Sequence, residues 1–517
     1  IDKGSQVEKD GKGYLAVQIQ LPSVPASSTR AANDVYDDGL AAEYKVNNAA
    51  LLLFHGEKEA DATFYQAVAL TLPSEVKDYD NDNLTSSYLA TSEVDETYTT
   101  NLWALALINY TGVFDLTNQK FLGKNGTLGV DYELTTSTKI SDLQSAVFAN
   151  ALQTTANGFF MTNAVLSKKA GSNSGTAPAA SNLFVLAKLA DDCIKDTEKE
   201  AKLNPAGSVF VERALAKATL SVTPTTIGSL TITNVEWSLS GTETSSYLVR
   251  NMFKDGSTTV ADYMGYSSAA FSPDYYRFAG DVKIGETAIQ PIVNFYRTYW
   301  CVDPQYSTTA TLNTTVNYGS TGTDNPQYCY ENTFNVDKQS YDNTTRAIVK
   351  VTTNGGNFYT INGADVKSTM ETARSALMAT FMTDVNVQKA FQDNYIGLGT
   401  YTVTEASFDL TDALVENATT GIVTLDGTKI YRSSTLSSTD FNLTQLTTDL
   451  AAAAPAAAET ANTYVDVLKF TGGVMYYEAR IQHFAQTSYE KTTGTKTADA
   501  AKAAGDLAPW NFWEVDP

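Results

Sequence analysis

The chain has 517 residues, too many for one ordinary core, so two or more domains are expected. Its net charge of −22 argues against a nucleic-acid partner, whose phosphates it would repel. With 18% charged residues, 29 Tyr and 22 Phe, it reads as a β-rich extracellular protein rather than a cytosolic helical one.

After a polar leader, IDKGSQVEKDGKG, the segment Gly13–Arg30 begins as a strand. Leu15, Val17, Ile19 and Leu21 fall on one face, and Tyr14, Ala16, Gln18 and Gln20 on the other. This period-two alternation predicts a strand with one face buried. Pro22 and Pro25 end it, because proline cannot donate to a ladder. Ala26–Thr29 is small and polar and leads to Arg30, so a core strand is followed by a tether that a protease can reach. Burying four such aliphatic side chains is worth about 6–12 kcal/mol as an upper bound, against a typical domain stability of roughly 5–15 kcal/mol.

The acidic, turn-rich run AANDVYDDGLAAEY comes next. Ala50–Phe54 is a continuous apolar run and predicts a buried central strand; Phe64–Leu72 alternates as its partner. Pro73–Thr100 reads as a polar surface excursion, and Leu102–Asn109 as another apolar strand. Ser141–Ala156 has helical spacing, with Ser141 as N-cap. Phe159–Leu166 follows, then the low-complexity run Ala170–Ser181, then the strand Val209–Ala218 (VFVERALAKA). A domain boundary is expected just after it, near residue 220.

The second half is strand after strand. Ile227–Leu239 carries NVEW and is followed by Tyr247–Asn251, YLVRN. Tyr328–Thr333, YCYENT, precedes Thr345–Val351, TRAIVKV, and Gly356–Gly363 fits a short hairpin. Ser368–Asn394 keeps helical spacing and predicts the longest helix. Phe408–Leu425 and Thr428–Tyr431 return to strand, and Val474–Phe484, VMYYEARIQHF, is the last strong one. No fixed-period repeat is present, so propellers and solenoids are not expected. No window of about 18 apolar residues predicts a membrane-spanning helix.

Chemistry-bearing motifs are sparse. With two histidines, His55 and His483, and three scattered cysteines, no zinc spacing arises. Neither histidine adjoins a nucleophile elbow, and there is no Walker loop or G-x-G-x-x-G. Asp78–Asp82 has alternating Asp, but Asn83 and Leu89 stand where a calcium loop needs Gly and Glu. No catalytic residue, metal site or cofactor is expected, and the chain is not read as an enzyme. Cys193, Cys301 and Cys329 are expected as free buried thiols, although the sequence leaves a Cys301–Cys329 pairing open.

Taken in order, the Gly13–Arg30 strand and tether, FFMTN, VERALAK, NVEW…YLVRN, YENT before TRAIVKV, and MYYEARIQH resemble segments of the fimbrillins, pilus subunits of Bacteroidia, somewhat closer to the minor branch. The resemblance runs from about residue 13 to 513 in scattered segments. It implies a mainly β fold of two transthyretin-like β-sandwich domains with a few short helices: 1–30 a leader and removable first strand, 31–220 the N-terminal domain and 221–517 the C-terminal one. It implies cleavage by an arginine-specific protease between Arg30 and Ala31. Leu15, Val17, Ile19 and Leu21 then leave with the exchanged strand, and a strand from another copy or a related pilin fills the groove. Main-chain pairing supplies affinity and alternate pockets supply specificity in such complementation. The implied setting is the bacterial outer membrane and fimbrium, with attachment through an N-terminal lipid on a Cys upstream of Ile1, and adhesion to host or bacterial surface receptors. Relatives continue after P-W-N into a G-R-x-G-V-x-R-N-x-Y strand that this sequence lacks. The expectation is therefore either a chain truncated at Pro517 or an ending that is itself the last strand. Two rival readings are a monomeric cell-surface lipoprotein that binds glycans through exposed aromatics, and a secreted glycoside hydrolase, which needs two cleft carboxylates roughly 5–10 Å apart.

Overall fold

The structure is a computed structural model. It describes residues 11–21, 42–43, 45–73, 87–123, 130–148, 158–167, 183–253, 301–308, 311–333, 345–361 and 467–480, with short strand segments between 277 and 298, between 365 and 432, and at 515–516. In chain order these form β1 (Lys12–Gln20), β2 (Ala49–His55), β3 (Thr63–Ala69), β4 (Ser87–Asp95), β5 (Leu102–Ile108), helix α1 (Ile140–Ser145), β6 (Met161–Asn163), helix α2 (Glu198–Leu203), β7 (Ser208–Arg213), β8 (Leu215–Ala218), β9 (Leu230–Ser240), β10 (Gln327–Tyr330), β11 (Arg346–Thr353) and β12 (Val474–Arg480), with shorter strands between. The protein is mainly β.

The largest sheet runs β3-β2-β5-β6-β7-β1-β4, and Ala187–Lys188 also pairs with β5. Its two ends meet: the Thr71 amide donates to the Thr91 carbonyl at 2.7 Å and the Thr91 amide to the Thr71 carbonyl at 3.1 Å. The sheet therefore curls round a core. The apolar runs of β2 and β5 have their physical reason here. Leu51, Leu53, Ala104 and Ala106 face one core, shared with β1 and β7. Leu52, Phe54, Leu105 and Leu107 face a second core, with Phe114, Phe121, Leu143 and Phe160. A strand buried on both faces cannot alternate with polar residues. Side chains from later in the chain, Leu248, Val249, Met252, Val302, Tyr306 and Tyr330, pack into this second core too.

Met161-Thr162-Asn163 closes the ladder between β5 and β7. Asn163 substitutes for missing backbone partners: its Oδ1 accepts from the Ala106 amide at 2.8 Å, and its Nδ2 donates to the carbonyls of Ala104 and Val185 at 2.9 and 2.8 Å. β7 and β8 were expected as one strand. They separate at Ala214, whose amide donates to the Phe160 carbonyl, and β8 then pairs with β10. A smaller sheet runs through β9, β11 and β12 over Trp237, Ala347, Val349, Val351, Phe358 and Met475. Phe358–Ile361 pairs antiparallel with Asp365–Lys367, so the second strand of the hairpin expected over Gly356–Gly363 lies just beyond that range, and Val515–Asp516 pairs with Glu478 and Ala479.

Two local readings are corrected. The stretch Pro73–Thr100 is not a surface excursion throughout, because Ser87–Asp95 is a full partner of β1. Its Thr- and Ser-rich composition hid a strand whose Ala90 and Val94 are buried. The helix expected over Ser141–Ala156 is, among the described residues, the six-residue Ile140–Ser145, with Lys139 rather than Ser141 at the N-cap position and Asp142 Oδ2 accepting from the Lys139 amide at 2.8 Å. It stops because Val147–Phe148 is drawn into pairing with Ser246–Tyr247. The expected helix Ser368–Asn394 and the end of Val474–Phe484 lie outside the described residues. Cys193, Cys301 and Cys329 are all free thiols.

Two carboxylates, the half-buried Glu59 and the buried Glu243, give the fold a pH dependence. Glu59 accepts from the amides of Val185, at 2.6 Å, and Leu186, yet burial pushes its carboxyl up to about 7. Burial and the nearby Asp303 push Glu243 up to about 8, against the Gln305 amide that donates to it at 2.6 Å. Both folded values lie above the unfolded carboxylate value, so the folded state holds these protons more tightly. Their contribution is intact at low pH and is lost as pH rises through 7 and 8. Thermal unfolding followed from pH 5 to pH 9 is expected to show a falling midpoint that Glu59→Gln and Glu243→Gln flatten.

Candidate functional site

β1 lies between β4 and β7 in the curled sheet. Leu15, Val17, Ile19 and Leu21 are 0–1% exposed and share a core with Leu51, Leu53, Met161, Val209 and Val211. The alternation predicted a second face open to solvent or polar partners. That face is instead closed: Ala16, Gln18 and Gln20 are buried as well. Helix α2 packs against β1 and β4, with Ala201 fully buried. Thr197 caps it by accepting from the Glu200 amide at 3.2 Å, and Thr91 on β4 donates its hydroxyl to Glu198 at 2.9 Å. The sequence carried one signal for this cover, the Thr-x-x-Glu capping pattern at Thr197–Glu200.

Both edges of β1 are also paired. Along one edge it runs antiparallel to β4, in register from Lys12↔Asp95 to Gln20↔Ser87. Along the other, Tyr14 and Lys195 exchange amide–carbonyl bonds at 2.7 and 2.9 Å, the Ala206 amide donates to the Ala16 carbonyl at 2.7 Å, and the Gln18 amide donates to the Gly207 carbonyl at 2.9 Å. Gln18–Gln20 then pair parallel with Ser208–Phe210. The Ser208 hydroxyl donates to Gln18 Oε1 at 3.1 Å. At the strand's start Gly13 fixes the register by close approach, since a Cβ there would meet Ile194 Cγ2 at 2.5 Å and the Lys195 carbonyl at 3.0 Å. The Lys12–Glu93 ion pair beside it is half exposed and contributes little.

Arg30 and Ala31 lie outside the described residues. Beyond the tether, the chain has its own anchor. Glu43 is 1% exposed; it pairs with Lys217 at 3.0 Å and accepts from the Tyr328 hydroxyl at 2.6 Å. Its carbonyl accepts from Arg213 Nε at 2.8 Å. The segment is therefore held to β7, β8 and β10. Nothing in the run AANDVYDDGLAAEY marks Glu43 apart from its acidic neighbours, and its partners lie far along the chain.

His55 stacks on Tyr98, centroids 3.7 Å apart, and His483 lies outside the described residues, as do Asp78–Asp82. Among the described residues no group of three or more His, Cys, Asp or Glu is placed to hold a metal. On the small sheet Tyr318 and Tyr476 stand 6.4 Å apart, 36% and 48% exposed, with Lys350 Nζ 5.5 Å from the Tyr318 ring and paired to Glu236 at 3.1 Å.

No protein-family model and no curated protein matches the sequence. Among solved structures, the chain is similar to a fimbrial assembly protein from Parabacteroides distasonis, at 10% identity and a TM-score of 0.25, over 62% of this chain and 86% of that one. A TM-score that low does not establish a shared fold.

The geometry makes β1 a structural requirement. Ile19→Ala is expected to cost about 2–5 kcal/mol in urea unfolding, and Ile19→Val about 0.5–1.5 kcal/mol. Leu203→Ala, at an exposed position on α2, is expected to stay within about 0.5 kcal/mol.

Proposed function

We propose that this chain is a structural subunit of a surface fimbria, in a precursor form in which β1 occupies a groove meant for another chain. An arginine-specific protease cuts between Arg30 and Ala31, β1 leaves with Leu15, Val17, Ile19 and Leu21, and an extended segment of another copy or a related subunit takes its place. The observation that carries this reading is the setting of β1: one continuous segment fills a groove with four core side chains and two paired edges, and the sequence directly after it reads as a cleavable tether. The ordered series of fimbrillin-like segments supports it. Glu43 supports it as well, because the chain downstream of the tether is anchored to β8 and β10. We further propose that the chain divides near residue 220 into units 31–220 and 221–517, that an N-terminal lipid attaches the precursor to the outer membrane, and that the assembled fimbria serves adhesion. No enzymatic activity is proposed.

A second reading, a monomeric cell-surface lipoprotein that binds glycans, is favoured by one observation, the exposed Tyr318–Tyr476 pair beside the Lys350–Glu236 ion pair. Aromatic faces and nearby charged groups suit a sugar ring. Retention of the full chain on a glycan array, reduced by Tyr476→Ala, would support this reading; no retention removes it.

The deciding measurement for the fimbrial reading is the N-terminal residue of the protein on the cell surface. A start at Ala31 is expected. A lipidated start upstream of Ile1 with Arg30–Ala31 intact would overturn assembly by cleavage.

A further inference from the structure

Gln18 and Gln20 are the same residue type, two apart on the same face of β1, 3% and 1% exposed. Their surroundings differ. Gln18 Oε1 takes the Ser208 hydroxyl at 3.1 Å. Gln20 Oε1 is buried with no hydrogen-bond partner among the described residues. In register with Gln20 stands Phe210, itself buried, whose ring offers no donor to an amide oxygen. A buried acceptor left without a donor loses its water and gains nothing in return, whereas an apolar side chain of the same shape does not incur that loss. Among the described residues of β1, Gln20 therefore carries a buried side-chain polar atom left without a partner.

Resting on the exchange reading above, we propose that the groove is built for a different occupant than β1. The best-fitting strand is an extended segment of a second protein chain with aliphatic side chains at the positions of Leu15, Val17, Ile19 and Leu21. It carries a small residue at Ala16, an amide at Gln18 and an apolar residue in place of Gln20. It runs in the direction of β1, antiparallel to β4 and parallel to β7, because the Ala206 amide and the Gly207 carbonyl are already aimed for that polarity. Ala16 stays small because it lies on the face that α2 covers, next to the Ala206 amide. The misfit at Gln20 gives exchange a thermodynamic direction in addition to the one that cleavage gives. A strand lacking it binds roughly fivefold to a hundredfold more tightly.

The test compares two near-isosteric substitutions with opposite expected signs. In the intact full-length chain, Gln20→Met is expected to raise the thermal midpoint by about 2 °C or more, and Gln18→Met to lower it, because it strands the Ser208 hydroxyl. An unchanged or lowered midpoint for Gln20→Met overturns the proposal, and so does a rise for both. The second arm uses full-length chain cut after Arg30 and synthetic peptides of residues 12–21. The peptide with Met at position 20 is expected to compete for the groove at least fivefold better than the native one, and the peptide with Met at position 18 to compete worse. Equal competition by all three overturns the proposal. If the thermal signs hold and no peptide displaces β1 from the cut chain, the exchange reading fails while the groove's preference for an apolar residue at position 20 stands.

Discussion

The constraint on which the N-terminal half depends is that β1 is buried on four sides. Its side chains reach one core and the underside of α2, and its backbone groups face β4 on one edge and residues 195–210 on the other. A buried backbone group has no access to water, so each amide and carbonyl along this strand must find a protein partner. The same holds for the groups opposite. With β1 absent, the inward edges of β4 and of the Ala206–Phe210 segment would be stranded together, and the side chains lining the core would lose their contact with Leu15, Val17, Ile19 and Leu21. The sheet cannot simply close over the gap, because β4 is fixed at its far side to Thr71 and through Thr91 to α2.

This enclosure separates two quantities that a bare sequence pattern merges. The alternation of aliphatic residues gives an estimate of how much β1 contributes to stability. It says nothing of how β1 can leave. A strand covered on one face can peel away; a strand covered on both faces and paired on both edges must first disturb α2 or unzip residue by residue. On the proposed exchange reading, replacement is favoured over simple release, since each groove amide that β1 releases is taken at once by the corresponding carbonyl of the incoming strand. Parallel pairing with β7 adds a polarity requirement that an apolar match alone would not impose. Gly13 adds a register requirement, because its neighbours Ile194 and Lys195 leave no room for a side chain.

The parts legible in the sequence are those in which local pattern and final environment agree. Ala50–Phe54 reads as a buried central strand and Leu102–Asn109 as an apolar strand, and both lie between two cores as neighbours in the large sheet, where nothing but apolar residues survives. The alternation of Leu15–Leu21 located a strand and its inner face. What failed had a physical cause in each case. The closed second face of β1 was invisible because Gln18 and Gln20 look like solvent-facing residues; they are buried beside Ser208–Phe210, which lies far along the chain. Strand β4 was missed because Ser, Thr and Glu dominate its outer face. The helix at residue 140 was overextended because Val147 and Phe148 fit a helical stripe as well as they fit the pairing with Ser246–Tyr247 that claims them. The anchor at Glu43 left no local trace, since its Lys217 and Tyr328 partners come together only in the folded chain.

Glu43 also bears on why a covalent cut matters at all. While the stretch between Leu21 and Glu43 is intact, β1 is tied to a fixed point on the body that holds the groove. Any opening of the groove is then answered by β1 at an effective concentration set by the tether, which for short flexible connections lies in the millimolar range. A competing strand in free solution must exceed that concentration or bind correspondingly better. Were the segment after the tether held only through β1, cutting the chain would change little, since both pieces would drift together. Because Lys217, Tyr328 and Arg213 hold Glu43 and its carbonyl to the body, a cut between Leu21 and Glu43 removes the local concentration of β1 and leaves the rest of the attachment intact. The burial of a carboxylate is costly unless it is paired and hydrogen-bonded, and here it is both. On the proposed reading, an anchor at Glu43, downstream of the tether, lets proteolysis release β1 while the following chain stays attached to β7, β8 and β10.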